Sequence, residues 1–160
     1  MDSRSKMYSW IIKGLIIIML GCLFFPVVSN SVTYLGIKME ASMTPFNIMA
    51  TQATMSVGGE SETVKLPGFL FAQFPAVVLL LSIIALGVLS VVLDKVFDKA
   101  KIALFIMGTA ILTLGMAILM EFTVKIQGTK LNPTINFFIL CIVALATAVM
   151  GFLYFRNEKV

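Results

Sequence analysis

The sequence predicts an all-α membrane protein, a four-helix transmembrane bundle carrying a small extracellular β-sheet. Three observations predict it. Four long apolar runs cover approximately residues 11–28, 67–93, 102–120 and 135–155, and a helix crosses the hydrocarbon core of a bilayer in about 20 apolar residues. The composition is 59% hydrophobic and 12% charged, with a mean hydropathy of +1.03, which is more apolar surface than a water-soluble domain can hide. The third observation is a period-two alternation of apolar and polar residues between the runs, the pattern of strands with one covered face.

Run one is basic at its start and reaches Phe24-Phe25-Pro26. A proline inside a helix removes a hydrogen bond and clashes with the preceding turn, so Pro26 ends or kinks the span. A basic start with Val27-Val28-Ser29 behind the run also fits a cleaved signal peptide; we read it as a span. The longest polar segment, 29–66, follows. Ile37, Met39, Ala41 and Met43 alternate there with Lys38, Glu40 and Ser42, which predicts a strand. Thr44-Pro45 predicts a short helix through about Ala50, with Thr44 as its cap and the proline at its first position. A hairpin follows, with strands at 54–57 and 62–66 joined through Gly58-Gly59.

Run two contains Pro67 and Pro75, so its span proper is expected to begin near Pro75, after a bent aromatic lead-in. The connection 94–101 is short and charged, and its spacing predicts that helix extends into it from the runs on either side. Run three ends at Glu121. Phe122, Val124 and Ile126 then alternate with Thr123, Lys125 and Gln127, a strand expected to end at Gly128 and to join the sheet of the first segment. Asn132-Pro133 predicts the start of the fourth helix. The two polar segments, 29–66 and 121–134, are too small to be separate domains, so residues 1–160 form one integral membrane domain.

Charge sets the expected orientation. Eight of the 12 Lys and Arg residues lie on the side that holds both termini and the connection 94–101, while the acids divide equally. By the positive-inside rule both termini are cytoplasmic in a cell membrane, with Tyr8, Trp10 and Tyr154 at the inner interface. No asparagine begins an N-glycosylation pattern, which points to a bacterial source. The net charge of +4 is spread around the spans without a basic run, so nucleic acid is not an expected partner.

Signs of chemistry are sparse. The chain has no histidine, and its two cysteines, Cys22 and Cys141, both lie within spans. Nucleophile–base pairs, a phosphate loop and zinc motifs are missing, so no enzyme, cofactor or metal is expected. Four methionines in the first polar segment could hold Cu(I) as thioethers, but gap-filling is the commoner use of methionine. Gln73, Glu121 and Asn136 sit near span ends rather than at a midplane, which argues against a transport path through a single bundle.

Small residues recur at helical spacing within the spans: Gly14 and Gly21, Gly108 and Gly115, and Ala144, Ala148 and Gly151. Such residues let helices approach in lipid, either inside the bundle or between copies. Phe46, Met49, Met55, Phe69 and Phe71 are the large apolar residues expected to form an extracellular interaction surface.

Four spans, a strand-rich first segment and a strand after the third span resemble the claudin-type tetraspan architecture. That resemblance implies a sheet standing on a four-helix bundle. The claudin signature, a tryptophan-rich cluster followed by two cysteines in the first loop, has no counterpart in residues 29–66. Phe46-Asn47-Ile48-Met49-Ala50-Thr51 is similar to a phenylalanine-rich turn of small bacterial four-helix membrane proteins. The expected function is a non-catalytic scaffold or accessory subunit. It would work through its outer sheet and lateral helix contacts, with the bilayer and either further copies or a larger membrane protein as partners. An oligomeric channel or transporter component and a toxin-resistance (immunity) protein are the alternatives.

Overall fold

The structure, a computed structural model, describes residues 3–65, 70–126 and 129–159. Four of its helices are long and apolar enough to cross a membrane: α1 (Ser3–Cys22), α3 (Leu70–Val92), α4 (Lys99–Thr123) and α5 (Ile135–Lys159). α4 packs against both α3 and α5, and α1 closes the ring against α5 and, less extensively, α3. Each helix sends a stripe inward at three- and four-residue spacing. Ile12, Ile16 and Met19 come from α1, Leu79, Ile83 and Leu86 from α3, Ile106, Ala110 and Ala117 from α4, and Leu140 and Ala144 from α5. The opposite faces are apolar too, with Ile17, Leu81, Phe105 and Ile142 exposed. A helix apolar all round suits lipid, where packing rather than water exclusion holds helices together.

At the end of the bundle away from the termini stands a five-stranded antiparallel sheet. Its strands are β1 (Val28–Tyr34), β2 (Ile37–Met43), β3 (Gln52–Val57), β4 (Glu60–Lys65) and β7 (Asn132–Pro133), in the order β4-β3-β2-β1-β7. A separate two-stranded ribbon pairs β5 (Lys125–Ile126) with β6 (Thr129–Lys130). Both hairpins of the main sheet turn on two residues with positive φ: Leu35 and Gly36 at 49° and 79°, and Gly58 and Gly59 at 61° and 97°. Positive φ at both central positions is what a type I′ turn demands. The short helix α2 (Pro45–Met49) begins as the sequence predicts. Thr44 caps it by accepting from the Asn47 amide at 3.1 Å, and Pro45 fills its first position.

Several expectations are corrected. α1 starts at Ser3 and stops at Cys22, short of Pro26, and Val28 already belongs to β1. The chain leaves α1 through three i→i−3 hydrogen bonds at Leu23, Phe24 and Phe25, a tightening that turns it before the proline is reached. β1 itself was not expected. Pro75 lies inside α3, so the lead-in is helical from Leu70, while the stretch apolar enough to cross a membrane begins, among the described residues, at Gln73, close to the proline as expected. Of the connection 94–101, α4 takes in Lys99 onward, but α3 ends at Val92. Phe122 and Thr123 are helical, and β5 pairs with β6 rather than with the main sheet. The second polar segment reaches the main sheet through Asn132-Pro133, paired with Ser29 and Val28, so Pro133 sits on an edge strand instead of opening α5. That placement spares a proline from donating within the ladder. Tyr154 is fully buried within the bundle, whereas Trp10 is 73% exposed. Cys22 and Cys141 are both free.

Candidate interaction surfaces

The small residues of the spans fall into two groups. Ala144, Ala148 and Gly151 lie on the inward face of α5, all buried. A Cβ at Gly151 would come within 3.1 Å of the Met107 amide nitrogen and 3.2 Å of the Ala103 carbonyl oxygen, so only glycine allows this approach of α4 and α5. Gly14 and Gly21 on α1, and Gly108 and Gly115 on α4, are exposed on the outside of the bundle, where a Cβ would meet nothing within 4 Å. Spacing alone cannot separate the two groups, because both repeat along one helix face.

The sheet has two unlike faces, as side chains alternate along each strand. Pairing fixes which residues share a face. Ser29 opposes Ser42, Ser31 opposes Glu40, Glu40 opposes Ser56, and Thr54 opposes Thr63, giving one polar, hydroxyl-rich face. On the other face Val28 opposes Met43, Val32 opposes Met39, Tyr34 opposes Ile37, and Met39 opposes Val57, while Asn30 and, on the outer strand β4, Glu60 and Glu62 give this mainly apolar face a charged edge. The half of this apolar face nearest the helices is covered: Val28, Met43 and Ala53 join the core with Ile48 of α2. The far half is open. Val32, Tyr34, Ile37, Met39 and Val57 are all exposed, and Leu35 at the turn is 86% exposed. Contiguous apolar surface of this kind marks an interaction site more often than isolated exposed residues do.

Leu35 carries a second oddity. It holds φ at 49°, a left-handed conformation that favours glycine or asparagine and costs a branched apolar residue about 1 kcal/mol. A strained, exposed leucine at the tip of an apolar face is the kind of outlier from which a function can be inferred.

Two of the large residues expected at the surface, Phe46 and Met49, are half-buried at the base of the sheet. Phe46 meets Phe24 at a tilt of 45° with ring centres 5.5 Å apart and packs against the core, as does Met49. The Met49 carbonyl accepts from Gln73 Nε2 at 2.8 Å, tying α2 to α3. Met55 is half-buried on the apolar face of β3. Phe69 and the side chain of Phe71 lie outside the described residues. The residues of the open tip were legible in principle. Val28, Val32 and Tyr34 alternate with Ser29, Ser31 and Thr33, but that alternation runs straight out of an apolar span and was masked by it.

At the terminal end a polar stripe on α1 binds the opposite elements. Ser9 donates to Asp94 at 2.8 Å and Lys13 pairs with the same carboxylate, while Ser5 donates to Glu158 and accepts from Asn157 at 2.9 Å. Burial pushes the Asp94 carboxyl up. The hydrogen bonds from Lys13 and Ser9, with the charge of Lys13 and Lys99, outweigh that effect and hold it below its ordinary range. Lys13 also lies 5.5 Å above the Trp10 ring. Among the described residues the buried Tyr154 hydroxyl is without a hydrogen-bond partner.

In the middle of the bundle Thr113 Oγ1 lies 2.8 Å from both Ser82 Oγ and the Thr109 carbonyl, and Thr147 donates to the Val143 carbonyl. The bonds to Thr109 and Val143 are local to their own helices, while the Thr113–Ser82 contact links α4 to α3. Glu121 is buried near the sheet end of α4, 3.4 Å from Lys130. Among the described residues no three carboxylates or thiols group as metal ligands would. No protein-family model matches the chain, and a search of curated proteins returns no match.

Proposed function

We propose that the protein is a non-catalytic accessory subunit or scaffold of a cell membrane. In this reading both termini are cytoplasmic and the sheet is extracellular, as the charge distribution suggests, and the source is bacterial, in keeping with the missing N-glycosylation pattern. The carrying observation is the open apolar tip around Leu35. Water does not tolerate such a patch without reason, and the turn keeps a strained leucine where asparagine would be easier. A second membrane protein, presenting apolar surface just above the bilayer, is the partner that the tip suits. Lateral self-assembly is a second reading, favoured by the bare backbone at Gly14, Gly21, Gly108 and Gly115 on the outside of the bundle.

Site-specific photo-crosslinking in intact membranes tests the first reading. A probe at Ile37 should yield one discrete adduct, and a probe at Thr63, on the polar face, should not. Equal labelling from both positions would count against the tip. An adduct of twice the chain mass would transfer the reading to self-assembly.

A further inference from the structure

A groove of about 670 Å³ opens sideways between the end of α1 and the start of α5, beneath the polar face of the sheet. Its walls are preformed. Asn136 Nδ2 donates to the Cys22 and Phe25 carbonyls at 2.9 and 3.1 Å, and Thr134 Oγ1 donates to the Pro26 carbonyl at 2.6 Å. These bonds hold the frayed end of α1 to α5 and consume the polar groups between them, leaving an apolar trough. Ile18 and Ile139 flank it, and Gly21 leaves it open where any other residue would fill it. The volume falls within the roughly 300–1,000 Å³ of sites that hold small molecules.

The rim differs from the floor. Glu40, Ser29 and Ser42 reach it from the sheet, and no lysine or arginine lines the groove among the described residues. Lys38 lies 3.2 Å from Glu40, in a pair whose members are both well exposed. Exposed pairs of this kind hold each other weakly, so both remain available to a ligand. The rim thus offers a carboxylate and hydroxyls, with one positive charge just beyond.

From this arrangement we infer that the groove binds a phospholipid with an ethanolamine headgroup from the sheet-side leaflet. One acyl chain lies along Ile18, Gly21 and Ile139, the ammonium donates to Glu40 and the serine hydroxyls, and the phosphate faces Lys38. A chain moving from bilayer to groove exchanges one apolar setting for another and gains little. Selectivity therefore comes from the headgroup, where a charge-assisted hydrogen bond is the strong contact. The inference rests on the membrane reading of the four helices and is independent of the tip.

The test uses the full chain, delipidated in mild detergent and offered equal dioleoyl-phosphatidylethanolamine and dioleoyl-phosphatidylglycerol, with retained lipid read by native mass spectrometry. The expected result is one retained ethanolamine lipid, favoured about tenfold. G21L should lose it without a lower unfolding midpoint, since the new side chain enters open space. E40Q should keep a lipid but lose the preference. Equal retention of the two lipids by the wild type, or unchanged retention by G21L, would overturn the inference while leaving the membrane reading intact. A chain that stays monodisperse without detergent would overturn both.

Discussion

Gly151 is where the packing of the bundle is most exposed to test. In G151A the added Cβ would stand 3.1 Å from the Met107 nitrogen and 3.2 Å from the Ala103 oxygen, with Ile106 Cγ2 at 3.4 Å. Two of these neighbours are backbone atoms inside α4, and neither can move alone. The helices must part by a few tenths of an ångström, and the gap spreads to Ala144, Thr147 and Ala148, which pack along the same seam. A half-ångström gap already forfeits about a quarter of each contact's attraction, and overpacking of a tight core costs about 1–3 kcal/mol. Alanine also favours helix over glycine by up to about 1 kcal/mol, so the mutant alone would understate the packing term. G108A supplies the reference, because its Cβ meets nothing within 4 Å. Unfolding of both variants by sodium dodecyl sulfate in mixed micelles, followed by circular dichroism, should place G151A about 1–3 kcal/mol below G108A. Equal stability of the two variants would refute the close approach of α4 and α5.

Three further outcomes are expected. D94N should lower stability at neutral pH by releasing Lys13 and Ser9. The Asp94 carboxyl is held below its ordinary value, so its contribution is present above about pH 4 and fades as pH falls through the depressed folded value. The gap between wild type and D94N should therefore close in acid, and a gap that widens there would contradict the pairing. Y154F should be neutral or stabilising by about 1 kcal/mol, since it removes a buried hydroxyl without a partner; a large loss in the same unfolding assay would mean that the hydroxyl is bonded. T113V should cost about 0.6 kcal/mol, the usual worth of a hydroxyl bond between helices in lipid, and a loss several times larger would give this contact a greater role.

Element type was legible wherever local chemistry was strong. Thr44-Pro45 and Gly58-Gly59 signal a cap and a turn by themselves, and both stand as read. Boundaries at prolines were uneven, for Pro45 opens α2 as expected but three others do not mark a helix end or start. Pro26, Pro75 and Pro133 were each read as marks of a helix end or start. The chain turns before the first, runs through the second and places the third on an edge strand. A proline forbids a donor, but many backbone settings satisfy that demand. β1 was hidden because its alternation begins inside an apolar run, where Val28 serves span-like and strand-like patterns equally. The site was the least legible part. Phe46 and Met49 are large and apolar, yet α2 holds both half-buried against the core, while Tyr34, Leu35, Ile37 and Met39 stand in the open. Likewise the link from Ser9 and Lys13 to Asp94 joins α1 to residues more than 80 positions away, a distance that no local pattern spans.

The proposal that the apolar tip is a docking surface is tested most directly by L35N, because it moves stability and binding in opposite directions. Asparagine accepts the left-handed conformation that leucine resists, so the variant should gain about 1 kcal/mol in unfolding free energy. It also removes the most exposed apolar side chain of the tip, so the crosslinked adduct from Ile37 should fall about tenfold. A variant that is more stable and still forms the adduct at the wild-type level would contradict the account.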